Sequence, residues 1–116
     1  MASFFRNKLH QNIGTAEVEV IEVSTNTRTT VIGLNLTNLT SGIVLATIRL
    51  ELLDANPPNA VLSQAYYVKD IIVPPNQSLR VINGGEKLIL GGNMKMHIHS
   101  NFEDSLDLVM SYVDIV

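Results

Sequence analysis

The chain has 116 residues, one domain's length, with 46 % hydrophobic and 16 % charged residues and a net charge of −3. It has no cysteine, which excludes disulfides, thiolate metal sites and a cysteine nucleophile. Residues 1–16 hold Arg6 and Lys8 and no acid, whereas the rest holds six bases against eleven acids, a balance that argues against nucleic-acid binding.

In chain order, residues 1–13 set Phe4 and Phe5 beside Arg6, Asn7, Lys8 and His10. Two descriptions fit: an edge strand, or an arm that docks its aromatics on a neighbour. The start has no charged region followed by a long apolar run, so no export signal is expected. No run in the chain approaches the roughly 18 apolar residues of a membrane span, so no membrane partner is expected.

From residue 14 the periodicity is that of strands. Val18, Val20 and Val23 alternate with Glu17, Glu19 and Glu22, with a slip at Ile21 that predicts a bulge. Thr29 to Leu39 places Ile32, Leu34 and Leu36 on one face and Asn35 and Thr37 on the other. Ile43 to Leu53 sets Val44, Ala46, Ile48, Leu50 and Leu52 against Thr47, Arg49 and Glu51. Further strands are expected near residues 64–72, 78–83, 86–90, 94–100 and 105–115. Thr40-Ser41-Gly42 reads as a tight hairpin, and the prolines of the 54–59 loop and of Pro74-Pro75-Asn76 keep those segments out of a ladder. Asn83-Gly84-Gly85 and Gly91-Gly92-Asn93 read as turns needing positive φ. The sequons at Asn35, Asn38 and Asn76 read as polar strand and turn positions. About eight short strands at regular spacing predict an all-β antiparallel β-sandwich, jelly-roll-like, over residues 14–116.

Candidate chemistry is sparse. His97 and His99 share one face of a strand, but no third ligand stands at a recognisable spacing, so no metal is expected. Glu103, Asp104 and Asp107 lack the spacing of a calcium loop and read as a solvated turn. Neither glycine pair fits a phosphate-binding motif, and no serine is tied by motif to a histidine and an acid. No cofactor and no catalytic residue is expected. Tyr66 and Tyr67, as strand neighbours, face opposite ways, one toward the core and one outward.

The last strand is apolar on both faces. Leu106, Leu108, Met110 and Tyr112 lie on one, and Val109, Val113 and Ile115 lie on the other with Asp107 and Ser111. A sheet in a two-layer sandwich needs only one apolar face, so the second is expected to be covered, by a symmetry mate or by the N-terminal segment.

These segments resemble a family of small β-sandwich structural proteins of tailed bacteriophages. The resemblance runs through Phe4-Phe5-Arg6-Asn7-Lys8 into Ile13-Gly14-Thr15, then Thr30 to Leu39, Tyr67 to Asp70 and Val73 to Leu79. It ends with Asn83 to Leu90 and Ser105 to Val113. It implies a non-enzymatic virion protein assembled in the host cytoplasm, a homo-oligomer whose partners are the major capsid protein or other virion proteins. The leading expectation is a capsid decoration or cement protein, with Phe4, Phe5, Arg6, Lys8, Val109, Val113 and Ile115 at the interface. The alternatives are a neck or tail component, such as a connector or terminator ring, and a carbohydrate-binding fibre-tip module.

Overall fold

The computed structural model describes residues 2–56, 59–83 and 85–116. Nine strands follow one another: β1 (Ser3–Ile13), β2 (Val18–Glu22), β3 (Arg28–Asn38), β4 (Val44–Leu53), β5 (Val61–Val73), β6 (Ser78–Ile82), β7 (Leu88–Leu90), β8 (Met94–Ser100) and β9 (Leu106–Ile115). The first sheet has the order β1-β9-β3-β6 with β7 also on β3, and the second has the order β2-β8-β4-β5. Every pairing is antiparallel. β6 takes Leu34 to Thr37 of β3 and β7 takes Thr29 to Val31, so these two are halves of one interrupted strand. Counted that way, eight strand positions fill two four-stranded layers with crossovers between them. This is a jelly roll, the all-β sandwich the strand spacing predicts.

The core lies between the layers. Leu34, Leu36, Leu106, Leu108 and Met110 of the first sheet meet Ala46, Ile48, Met96 and Ile98 of the second, all of them buried. Each large side chain withdrawn from water contributes about 1.5–3 kcal/mol. Among the described residues no buried side-chain nitrogen or oxygen lacks a hydrogen-bond partner.

Residues 3–13 form β1, an edge strand whose ladder partner among the described residues is β9. β1 therefore lies beside β9 and does not cover its outer face. The expected bulge in β2 is present: the register with β8 shifts between Glu19 and Ile21, and both Val20 and Ile21 are buried.

Three sequence expectations are corrected. Val31, not Ile32, joins Leu34 and Leu36 in the core, because the register of β3 against β9 shifts between Val31 and Gly33 and reverses the parity of the strand. Thr40-Ser41-Gly42 is not a hairpin, since β3 and β4 belong to different sheets. The buried Asn38 holds that crossover: its Nδ2 donates to the carbonyls of Gly42 (2.8 Å) and Val73 (3.0 Å), and its Oδ1 accepts from the amide and hydroxyl of Thr40 (2.8 Å each). No described glycine has a positive φ; Asn76 (53°) and Asn93 (67°) take that conformation instead. Gly92 is needed for space, as a Cβ there would lie 2.3 Å from the Thr25 carbonyl oxygen. Gly84 and the loop prolines Pro57 and Pro58 lie outside the described residues.

Candidate interaction surface

Residues paired across antiparallel strands share a face, so the registers define what each outer surface carries. On the first sheet one outward row runs Phe5, Val113, Thr30, Ile89. A second runs Leu9, Val109, Asn35, Arg80, and a third runs Ser3, Ile115, Arg28. Phe5 is 82 % exposed and Leu9 70 %, with Ile89 and Val109 also exposed and Val113 and Ile115 half-buried. Beside these rows lies an open concavity of about 680 Å³ above Gly33, bordered by Ile32, Asn35, Arg80, Val109 and Ser111.

The outer face of the second sheet centres on ion pairs, with Tyr66 and Ile72 of β5 exposed beside them. One row there runs Glu19, His97, Arg49, Tyr66, and the next Glu22, Lys95, Glu51, Gln64. Arg49 grips Glu17 through Nη2 (2.7 Å) and Nε (3.1 Å), and its Nη1 donates to Glu51 (2.7 Å) and Gln64 (3.0 Å). Lys95 pairs with Glu19 at 3.1 Å. Hydrogen bonding to Arg49 holds the Glu17 and Glu51 carboxyls below the ordinary carboxylate range and raises the guanidinium's pKa.

The sequence candidates fall into separate places. His97 and His99 share this polar face, but His97 is engaged, with Nε2 2.8 Å from Glu51 and Nδ1 3.8 Å from Glu17. His99 stands opposite Thr47. Among the described residues no three His, Asp or Glu side chains gather as a metal site would require. The acidic turn serves its own loops: Glu103 accepts hydrogen bonds from the Thr15 amide and hydroxyl, and Asp107 accepts from the Asn12 amide at 3.0 Å. Tyr67 packs on the core while Tyr66 is exposed, with the Lys69 ammonium 5.2 Å from its ring.

The interface candidates divide into two groups. Phe5, Val109, Val113 and Ile115 share the outer face of the first sheet. Phe4, Arg6 and Lys8 lie on the other side of β1 and border a cleft of about 400 Å³ between β1 and β2, with Ile21, Tyr112 and Asp114. Arg6 pairs with Asp114 at 3.0 Å, and its guanidinium carbon lies 5.2 Å from the Phe4 ring centroid. Burial, reinforced by the Asp114 charge, raises the pKa of the Tyr112 phenol. Sequence reasoning missed Leu9 and Ile89. Leu9 was findable, because it lies four residues after Phe5 and so faces the same way; Ile89 required knowing that β7 pairs with β3.

This order of strands defines an all-β jelly-roll sandwich, and solved structures similar to it share that architecture. No protein-family model and no curated protein matches the sequence. A chain of the T13 infectious bursal disease virus particle superimposes with a TM-score of 0.58 at 6 % identity, over 97 % of this chain and 30 % of that one. A chain of the Gx strain of the same virus gives 0.59 at 7 % identity, over 98 % and 33 %. A subunit of the disulfide-linked pili that form Bacillus endospore appendages gives 0.51 at 6 % identity, over 98 % of this chain and 88 % of that one. The chain thus spans about a third of the viral chains and most of the pilus subunit. At these identities the likeness is one of fold.

Proposed function

We propose that the chain is a non-enzymatic virion structural protein of a tailed bacteriophage, a decoration or cement protein that binds the major capsid lattice through the outer face of its first sheet. The observation that carries this reading is the contrast between the two outer faces. The second sheet carries the Arg49 and Lys95 ion pairs on its central strands, with Tyr66 and Ile72 exposed on β5 beyond them, whereas the first gathers Phe5, Leu9, Ile89 and Val109 on its outer face. Exposed apolar side chains gathered on one face of a sheet fit a contact surface. The likeness to chains of a viral particle and of a pilus, and the resemblance of the sequence to phage virion proteins, support an assembly role.

The test replaces the centre of that face. Val113→Asp supplied during infection should fold, because the core-facing Leu108, Met110 and Tyr112 are untouched. It should be lost from purified particles, since a carboxylate buried without a partner costs several kcal/mol. Incorporation at the wild-type level, measured by quantitative mass spectrometry, would sink the reading. The same measurement separates a lattice-wide decoration protein, present in hundreds of copies, from a neck or tail component present as a single closed ring.

A further inference from the structure

We propose that Asn83 is a self-modifying site: in the folded chain it converts without an enzyme to aspartate and isoaspartate, which adds a carboxylate to the rim of the concavity above Gly33. The inference does not rest on a viral role.

Asn83 alone among the asparagines of the chain is followed by glycine. Every other one precedes a residue with a side chain, which crowds the next backbone nitrogen. Gly84 has no Cβ, so its nitrogen stays open to close approach. Asn83 is exposed and stands just after the end of β6, outside the strands. It borders the concavity above Gly33 together with Asn35, Arg80 and Ser111. Its Oδ1 accepts a hydrogen bond from the Gly85 amide at 3.0 Å, and its carbonyl oxygen accepts one from the Glu86 amide at 3.1 Å. The first of these bonds draws electron density from Cγ and stands ready to stabilise negative charge developing on Oδ1. Asn38 is the opposite case: it is buried, its carboxamide is bonded at both ends, and it is followed by Leu39.

The reaction needs only water. The Gly84 nitrogen gives up its proton to hydroxide and attacks Cγ of Asn83. The new carbon–nitrogen bond closes a succinimide ring. The bond from Cγ to Nδ2 breaks, and Nδ2 takes a proton from water and leaves as ammonia. Nucleophile and electrophile are joined by the chain itself, so the attack is unimolecular. Water then opens the ring at either carbonyl. One opening gives aspartate; the other gives isoaspartate, whose main chain runs through the former side-chain carbon. The net change is an amide exchanged for an acid, with no oxidant or reductant. Arg80 is the one charged group among the described residues that border the concavity. The product therefore sets a carboxylate where only a cation stood.

Peptide mapping by mass spectrometry tests this on the purified full chain, incubated for days in mildly alkaline buffer, with circular dichroism to show that the sheets stay intact. The peptide holding residue 83 should gain the mass of an amide-to-acid exchange ahead of every peptide holding another asparagine. Isoaspartate should be among the products, and the rate should rise with pH, since the attacking nitrogen must lose its proton. Gly84→Ala should slow the conversion about tenfold, because a Cβ shields that nitrogen. Asn83→Gln should slow the loss of ammonia at least as much, since a larger ring would have to close. A folded chain that keeps Asn83 intact overturns the proposal, and conversion in urea alone would show that the fold protects the residue. Conversion that a folded Gly84→Ala variant leaves at the wild-type rate overturns it as well. If Gly84→Ala loses its sheet signal, Asn83→Gln decides: ammonia lost from residue 83 at the wild-type rate overturns the backbone attack.

Discussion

Asn38 is buried, yet all of its polar capacity used in the structure is directed to backbone and hydroxyl partners of the β3–β4 crossover and the end of β5. Asn38→Ala would leave the Gly42 and Val73 carbonyls without that donor and the Thr40 amide without its acceptor. The expected loss is about 3 kcal/mol, or a Tm lower by about 10–15 °C for a domain of this size. Asn38 read as a plain polar turn residue in the sequence, because nothing local tells a solvated asparagine from one that ties two layers. The Arg49 cluster makes a pH-dependent contribution whose sign follows from its chemistry. Arg49 holds the Glu17 and Glu51 carboxyls below their ordinary value of 4.5 in the folded chain. Carboxylates depressed in this way stabilise the fold above the unfolded-state value and lose that contribution as pH falls toward the folded one. Thermal melts should therefore show Tm dropping as pH falls below 4.5, and Arg49→Met should flatten that drop.

At the scale of the strand, alternation exposed which segments are strands, and bulges hid which residues face inward. β2 advertises its bulge because Val20 and Ile21 are adjacent apolar residues. β3 conceals its own, since Ile32, Leu34 and Leu36 alternate in sequence while the chain shifts register beneath them. β5 is the most irregular strand, with three register shifts against β4. One of them places Asp70 at φ 51°, where its amide donates to the Thr47 hydroxyl at 3.1 Å. β-Branched residues are strained in that conformation. Asp70→Val should cost about 2 kcal/mol by chemical denaturation, whereas Asp70→Asn should stay within about 0.5 kcal/mol of wild type.

For the whole molecule, the sequence made the all-β class and the approximate strand count legible, because turns and alternation are local. It did not disclose the order of strands in each sheet, which depends on contacts between residues far apart in the chain. The candidate surface was partly legible for the same reason: the two-faced apolar character of β9 is visible in one segment, while its union with Leu9 and Ile89 appears only once β1, β9, β3 and β7 lie side by side. That union predicts a separation of stability from assembly. Phe5→Ser with Leu9→Ser should change folding stability by no more than about 0.5 kcal/mol, as both side chains are exposed. Chemical denaturation checks this, and particle incorporation of the same double variant should fall.

The pairing of β1 with β9 has a consequence for biosynthesis. Phe4 stands opposite Asp114, so β1 pairs with a strand that is synthesised after all the other strands of the two sheets. While the chain is being made, the ladder groups of β1 must wait unpaired until β9 leaves the ribosome. Contacts this distant form slowly, and an unpaired apolar strand is prone to aggregation in the interval. Slower translation should therefore lower the soluble yield of this chain, and masking Phe5 and Leu9 by serine should restore it.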